Sequence, residues 1–232
     1  MPTAPDTLAE VQAVTSFVLY QDGQPSPPGR WALEFEAGIV HQPGVAPPLG
    51  TLLTLQYSGE STHFARNMLL QVIIPARFGR GSAQIGRPFM NWQQRWVADT
   101  ARMLTLATAL ALELPTPGQP SDTQFLITTI AAKQVGPGNL LWNGFTGVSR
   151  RPQLTLWGII VGYNYWPHES LSLVVNYDFI GDPKGPPQHI LQAGIIRILT
   201  SRVSIGPGVL VGLSRNKDTP RLGAGARLFA VL

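Results

Sequence analysis

The chain has 232 residues, no cysteine and a formal net charge of +4, with 44% hydrophobic but only 13% charged residues. A charged fraction about half the ~25% of ordinary soluble domains leaves much of the surface without the groups that hold a protein in water, and the lack of cysteine excludes disulfides and thiolate metal sites. No window reaches the ~18 uninterrupted apolar residues of a membrane-crossing helix, and no run of Lys or Arg forms a nucleic-acid stripe.

Residues 1–29 stand apart. They carry Asp6, Glu10 and Asp22 and no cleavable apolar core, so the signal peptide of an exported protein is expected to be already absent from this numbering. Leu8, Val11 and Val14 share one side of a short helical stretch, Phe17–Tyr20 suits a strand, and PSPPG at 25–29 ends either one. We expect a periplasmic tail or short plug here, and a single domain over 30–232.

From Trp31 the pattern has period two. Trp31, Leu33, Phe35, Ala37 and Ile39 alternate with Glu34, Glu36, Gly38 and Val40. Residues 103–114 set Leu104, Leu106, Leu110, Leu112 and Leu114 against Thr105, three alanines and Glu113. Leu171, Leu173, Val175, Tyr177 and Phe179 alternate with Ser170, Ser172, Asn176 and Asp178, and 203–213 sets Val203, Ile205, Val209, Val211 and Leu213 against Ser204 and three glycines. Successive strand side chains point to opposite faces, so each stretch is a strand with one greasy and one small or polar face. The same reading gives about twelve strands: 30–41, 51–58, 63–74, 91–98, 101–114, 122–134, 138–148, 153–165, 169–180, 188–199, 202–214 and 221–232. In 122–134 and 188–199 the faces mix, and Arg197 falls on an otherwise apolar side.

Alternation alone also suits a soluble, lipocalin-like barrel that keeps its apolar face inside. The polar face decides between them: it is Gly, Ser, Thr, Asn and Ala, not the Lys and Glu of a soluble exterior. A closed sheet with that face inward and the leucines in lipid satisfies every backbone group without an edge. The expected fold is therefore all-β, a closed antiparallel transmembrane barrel in an up-and-down meander.

Connections of long and short spacing alternate, from the long HQPGVAPPLG stretch and the short SGEST turn to the long GDPKGPP and the tight turn near Ser201, with the brief Ser149–Pro152 link as the one exception. Short periplasmic turns and longer outer loops are the habit of bacterial outer-membrane barrels, and the parity puts both ends of the chain on the periplasmic side. Trp31, Tyr57, Trp92, Trp96, Tyr163, Tyr165, Trp166 and Tyr177 cluster near strand ends, where interfacial girdles form.

Six charged residues are expected to point inward: Glu34, Glu36, Arg95, Glu113, Asp178 and Arg227. Charges in a narrow low-dielectric interior must pair or stay hydrated, so they either brace the lumen or form a constriction that sets selectivity. His41, His63, His168 and His189 fall at or near strand ends and match no Ser/His/acid or metal-ligand spacing, so neither an enzyme, nor a metal, nor a cofactor is expected. Gly206-Pro207-Gly208 and Gly223-Ala224-Gly225 lie inside strands with no helix to follow, and read as small lumen positions.

The run LATALALELPTPG (106–118), Asn143-Gly144, the NYDFIGDPKG stretch and the QAGIIRILTSRVSIGPGVLVGLS hairpin together resemble the MetA-pathway of phenol degradation family of outer-membrane proteins over roughly 30–232. The resemblance implies a twelve-stranded, transporter-like channel that passes small organic compounds, aromatic or hydrophobic ones among them, with no catalytic residues to carry over. The expected partners are outer-membrane lipid and such solutes. Two features depart from the family: its PTG triad reads Pro115-Thr116-Pro117-Gly118, and the last strand closes on Leu232 where an aromatic is usual. The alternatives left open are a barrel enzyme acting on lipid and the soluble ligand-binding barrel.

Overall fold

The computed structural model describes residues 29–41, 49–59, 68–79, 82–99, 104–114, 124–149, 154–183, 185–215 and 219–232. The expected tail or plug over 1–29 lies outside them but for Gly29, as do the PTPG segment and His63.

The strands are β1 (Trp31–His41), β2 (Leu49–Ser58), β3 (Met68–Gly79), β4 (Ser82–Ile85), β5 (Phe89–Asp99), β6 (Leu104–Glu113) and β7 (Gln124–Val135). The second half adds β8 (Gly138–Ser149), β9 (Leu154–His168), β10 (Leu171–Asp182), β11 (Gly185–Thr200), β12 (Val203–Gly212) and β13 (Leu222–Val231). Except for β4 and β5, each hydrogen-bonds antiparallel to its sequence neighbour, and β1 joins β13 on one side and β2 on the other, so the sheet closes on itself.

Thirteen strands make twelve staves. β4 and β5 both pair with β3, Ile85 facing Ala76 and Phe89 facing Ile73, and between them Gly86 N–H donates to Pro75 O at 2.9 Å. Proline has no N–H to give. The sheet absorbs Pro75 by interrupting its partner at 86–88, one residue longer than the matching stretch of β3, which is a bulge. The expected strand over 63–74 therefore lies at 68–79, about five residues later, because a mid-strand proline reads as a boundary. GDPKGPP is likewise no long loop: β10 runs to Asp182 and β11 begins at Gly185 with two prolines.

We call the end at which β1 begins the lower one. Its connections at 136–137, 169–170 and 201–202 are two residues long, whereas 42–48, 114–123 and 213–221 at the upper end are long. The alternation fails at 59–67 below and at 150–153 and 183–184 above. In the turn between β7 and β8, Gly136 has φ +59° and is followed by Pro137, the pattern of a II′ hairpin turn. Open space surrounds a β-carbon built there, so Gly136→Val should cost about 1–2 kcal/mol purely through the left-handed backbone. A urea titration of the folded barrel reads this, and an unchanged midpoint would remove the turn from the account.

The greasy face is outside. On β10, Leu173, Val175 and Tyr177 are 38%, 49% and 38% exposed while Ser172, Asn176 and Asp178 are 6% or less. The same division runs through β1, where Trp31, Leu33, Phe35 and Ile39 are exposed and Ala32, Glu36 and Val40 are buried. The exterior is thus a near-continuous apolar wall, and the lumen takes the glycines, amides and acids. Arg197 does lie on the outer face, near the lower end of β11 between Leu171 and Ile205, where a long side chain reaches the rim.

Candidate functional site

The interior is layered along the barrel axis, and the layers follow from which inward positions carry which side chains. Toward the upper end, Phe89, Leu126 and Leu156 pack with Ile73, Ala111 and Phe145 on one arc. Val40, Ile190 and Leu210 pack with Ile180 on the other. Leu52 and Pro75, ladder partners, fill the arc on β2 and β3, and Gly223 of β13 lies between Val40 and Leu210. The result is an apolar collar. Gly158 makes room for it: a β-carbon there would meet the Phe145 ring at 2.5 Å.

The next inward position below the collar is polar on strand after strand. Thr54 follows Leu52, Gln71 follows Ile73, Asn91 follows Phe89, Asn143 lies below Phe145, Asp178 below Ile180 and Gln192 below Ile190. Glu36 lies on β1 below Val40. With Gln56, Gln93, Asn164, Ser172 and Asn176 these form a polar belt, and all but Gln71 are buried.

Hydrogen bonds knit parts of the belt. Asn91 Nδ2 donates to Gln71 Oε1 at 2.6 Å, and Gln71 Nε2 to Gln56 Oε1 at 3.0 Å, a relay of amides over β5, β3 and β2. Ser172 donates to Asn164 Oδ1 and Gln192 Nε2 to Asp178 Oδ2. Arg227 Nη2 donates to Glu34 Oε2 at 2.7 Å, and Glu36 faces Arg227 directly across β1 and β13. At the upper end, Arg87 Nη1 pairs with Glu113 Oε2 at 3.1 Å.

All six charged candidates therefore sit on the inner side, but in separate groups. Glu34, Glu36 and Arg227 share the β13–β1 seam, Asp178 stands on β10, Glu113 lies level with the collar, and Arg95 lies low on β5 opposite Ala107. Arg87 and the amides were missed. Uncharged amides look like any polar strand face, and only the register assembles them into a belt.

Of the eight aromatics, Trp31, Tyr57, Trp92, Trp96, Tyr163, Tyr165 and Trp166 lie in the lower part of the wall; Tyr177 is midway along β10. Trp31 and Tyr57 stack with ring centroids 4.9 Å apart, and Trp96 Nε1 donates to Thr108 Oγ1 at 2.8 Å. On the outer face, His189 Nδ1 meets Tyr177 Oη at 2.5 Å, and His168 Nδ1 meets Ser170 Oγ at 3.0 Å. Among the described residues, no three His, Asp or Glu side chains gather as a metal site would require.

No protein-family model matches the chain, and no curated protein matches it. Solved structures do. The COG4313 outer-membrane channel from Pseudomonas putida F1 superposes with a TM-score of 0.74 at 11% identity, over 93% of this chain and 100% of that one. A KdgM porin, solved in complex with disordered oligogalacturonate, gives 0.58 at 5% identity over 86% and 97%. A NanC porin gives 0.57 at 6% identity over 85% and 97%. At such identities the likeness is one of fold: a closed up-and-down barrel of the kind found in outer-membrane channels and porins.

Proposed function

We propose that this barrel, an outer-membrane channel by fold, sits in a bacterial outer membrane and gives small organic solutes a narrow passive route across it. The observation that carries the reading is the polar belt set beneath an apolar collar, inside a wall whose outer face is apolar. A soluble ligand carrier would need the reverse arrangement. A barrel of twelve staves lies between the eight whose interior side chains fill it and the sixteen that leave an open aqueous channel, a size that suits a passage either narrow and selective or blocked. The channel proposed is of the first kind.

The collar gives the preference. A hydrated ion must shed water to pass a constriction of Val40, Leu126, Leu156, Ile190 and Leu210, whereas a compact hydrocarbon or aromatic body exchanges water for contacts of its own kind. Solutes of aromatic or hydrophobic character, which the resemblance to the phenol-degradation family also implies, fit that layer. The belt then offers hydrogen bonds to whatever polar group the solute carries. The low-lying Trp31, Tyr57, Trp92, Trp96, Tyr163, Tyr165 and Trp166 act as the headgroup-level girdle, with Tyr177 higher on the lipid face.

Glu34 and Glu36 lie on the lumen side of β1, with Arg227 against them. In planar bilayers under a salt gradient, replacing both with Gln should shift the reversal potential toward anions. Selectivity that stays unchanged would take these two residues out of the permeation path. A protein that stays monodisperse in plain buffer without detergent would overturn the membrane reading itself.

A further inference from the structure

Among the described residues, five acceptor oxygens of the belt have no hydrogen-bond partner, four of them on β8–β11: Asn143 Oδ1, Asn176 Oδ1, Asp178 Oδ1 and Gln192 Oε1. Their residues are 3–6% exposed. Buried polar atoms are almost always satisfied, so a group of acceptors left without donors asks what supplies them.

Register brings three of them together and leaves Asn143 two strands away. Asn176 faces Gln192 across β10 and β11, and Asp178 is the next inward residue on β10. Asn143 faces Ile160, which faces Asp178 in turn. Two details orient them. Gln192 commits its amide N–H to Asp178 Oδ2, so its oxygen is the atom left over. Asn176 lies over Gly162, where a β-carbon would collide with Asn176 Oδ1; the glycine is what lets the amide occupy that place.

A carboxylate set among amide oxygens disfavours an anion. It suits a group with several N–H donors and a positive charge. Immediately above lie Ile180, Ile190 and Leu210 of the collar, which suit a hydrocarbon body. Glu36, whose Oε2 is also without a partner, adds a second acid to the belt.

We infer that the lumen wall of β8–β11 is a binding site for a small primary-ammonium solute with a hydrocarbon or aromatic body. The ammonium's three N–H groups donate to Asp178, Asn176 and Gln192, and the body rests against the collar. The inference deepens the channel reading and rests on it for the solute's way in.

The test is calorimetric titration of the full chain, folded in detergent micelles, with benzylammonium chloride, sodium benzoate and benzyl alcohol, which share one ring and differ in charge. Benzylammonium should bind saturably, and the other two at least about tenfold more weakly. Asp178→Asn keeps the shape and removes the charge, and should weaken benzylammonium about tenfold, the worth of one charge-assisted hydrogen bond. Gln192→Leu, which removes a neutral acceptor, provides a second variant should the first fail to fold; heat-dependent gel mobility reports the folded barrel. Equal binding of benzoate and benzylammonium would overturn the site, as would parent-like binding in both variants. Conductance in bilayers without benzylammonium binding sinks the site alone, whereas binding without conductance supports the site and sinks the channel.

Discussion

Val175→Arg should destabilise the folded protein in lipid vesicles by about 2–4 kcal/mol, the toll for an arginine facing acyl chains near mid-membrane. Val175 is 49% exposed and stands midway along β10. Leu173 and Tyr177 flank it on the same strand, and Tyr163 and Ala193 face it from β9 and β11. The two hydroxyls on that patch are already engaged, Tyr163 with Val135 O and Tyr177 with His189, and no acid stands among these neighbours to pair with the guanidinium. The same substitution at a site bathed in water would stay within ~0.5 kcal/mol. Val135→Arg supplies the depth control: Val135 is 47% exposed but ends β7 at the lower rim, where the cost falls to about 0–1 kcal/mol. Reversible urea unfolding in vesicles, followed by tryptophan emission, separates the two. Equal costs at both positions would mean that the outer wall does not span a bilayer.

Arg227→Met should be the most damaging change in the lumen, at about 3–5 kcal/mol. The guanidinium pairs with Glu34 at 2.7 Å, faces Glu36 across the seam and lies 5.8 Å from the Phe229 ring centroid. Removing it leaves two neighbouring acids, Glu36 only 5% exposed, with like charge and a lost cation. Pairing the change with Glu34→Gln should recover part of the loss, because one acid no longer needs compensation; the cycle isolates the coupling. Simple additivity of the two single changes would show that the contact contributes little.

The chain's alternation was enough to read the fold, because an apolar outer face over a polar lumen imposes a period of two along each stave. β10 shows it plainly: Leu173, Val175 and Tyr177 against Ser172, Asn176 and Asp178. Prolines hid the rest. Pro75, Pro186 and Pro187 suggest loops, yet all three lie in strands, since a proline forfeits one ladder bond and a sheet can spare that bond at a bulge or near a stave's end. The site was legible as far as the inward charges. Glu34 and Arg227 are 193 positions apart, however, and their contact comes from closure alone. The amide belt needed still more, because Asn143, Asn176 and Gln192 come from different hairpins and gain meaning only as acceptors left without donors.

That closure also dictates the order of assembly. The hairpins around 136–137, 169–170 and 201–202 join residues a few positions apart and can zip at once, while the meeting of β1 with β13 must wait for everything between them. Until this clasp fastens, both flanks of the ribbon offer unsatisfied backbone groups to any other chain nearby, a standing invitation to aggregate. Only when β1 meets β13 does the ribbon lose both of its open edges.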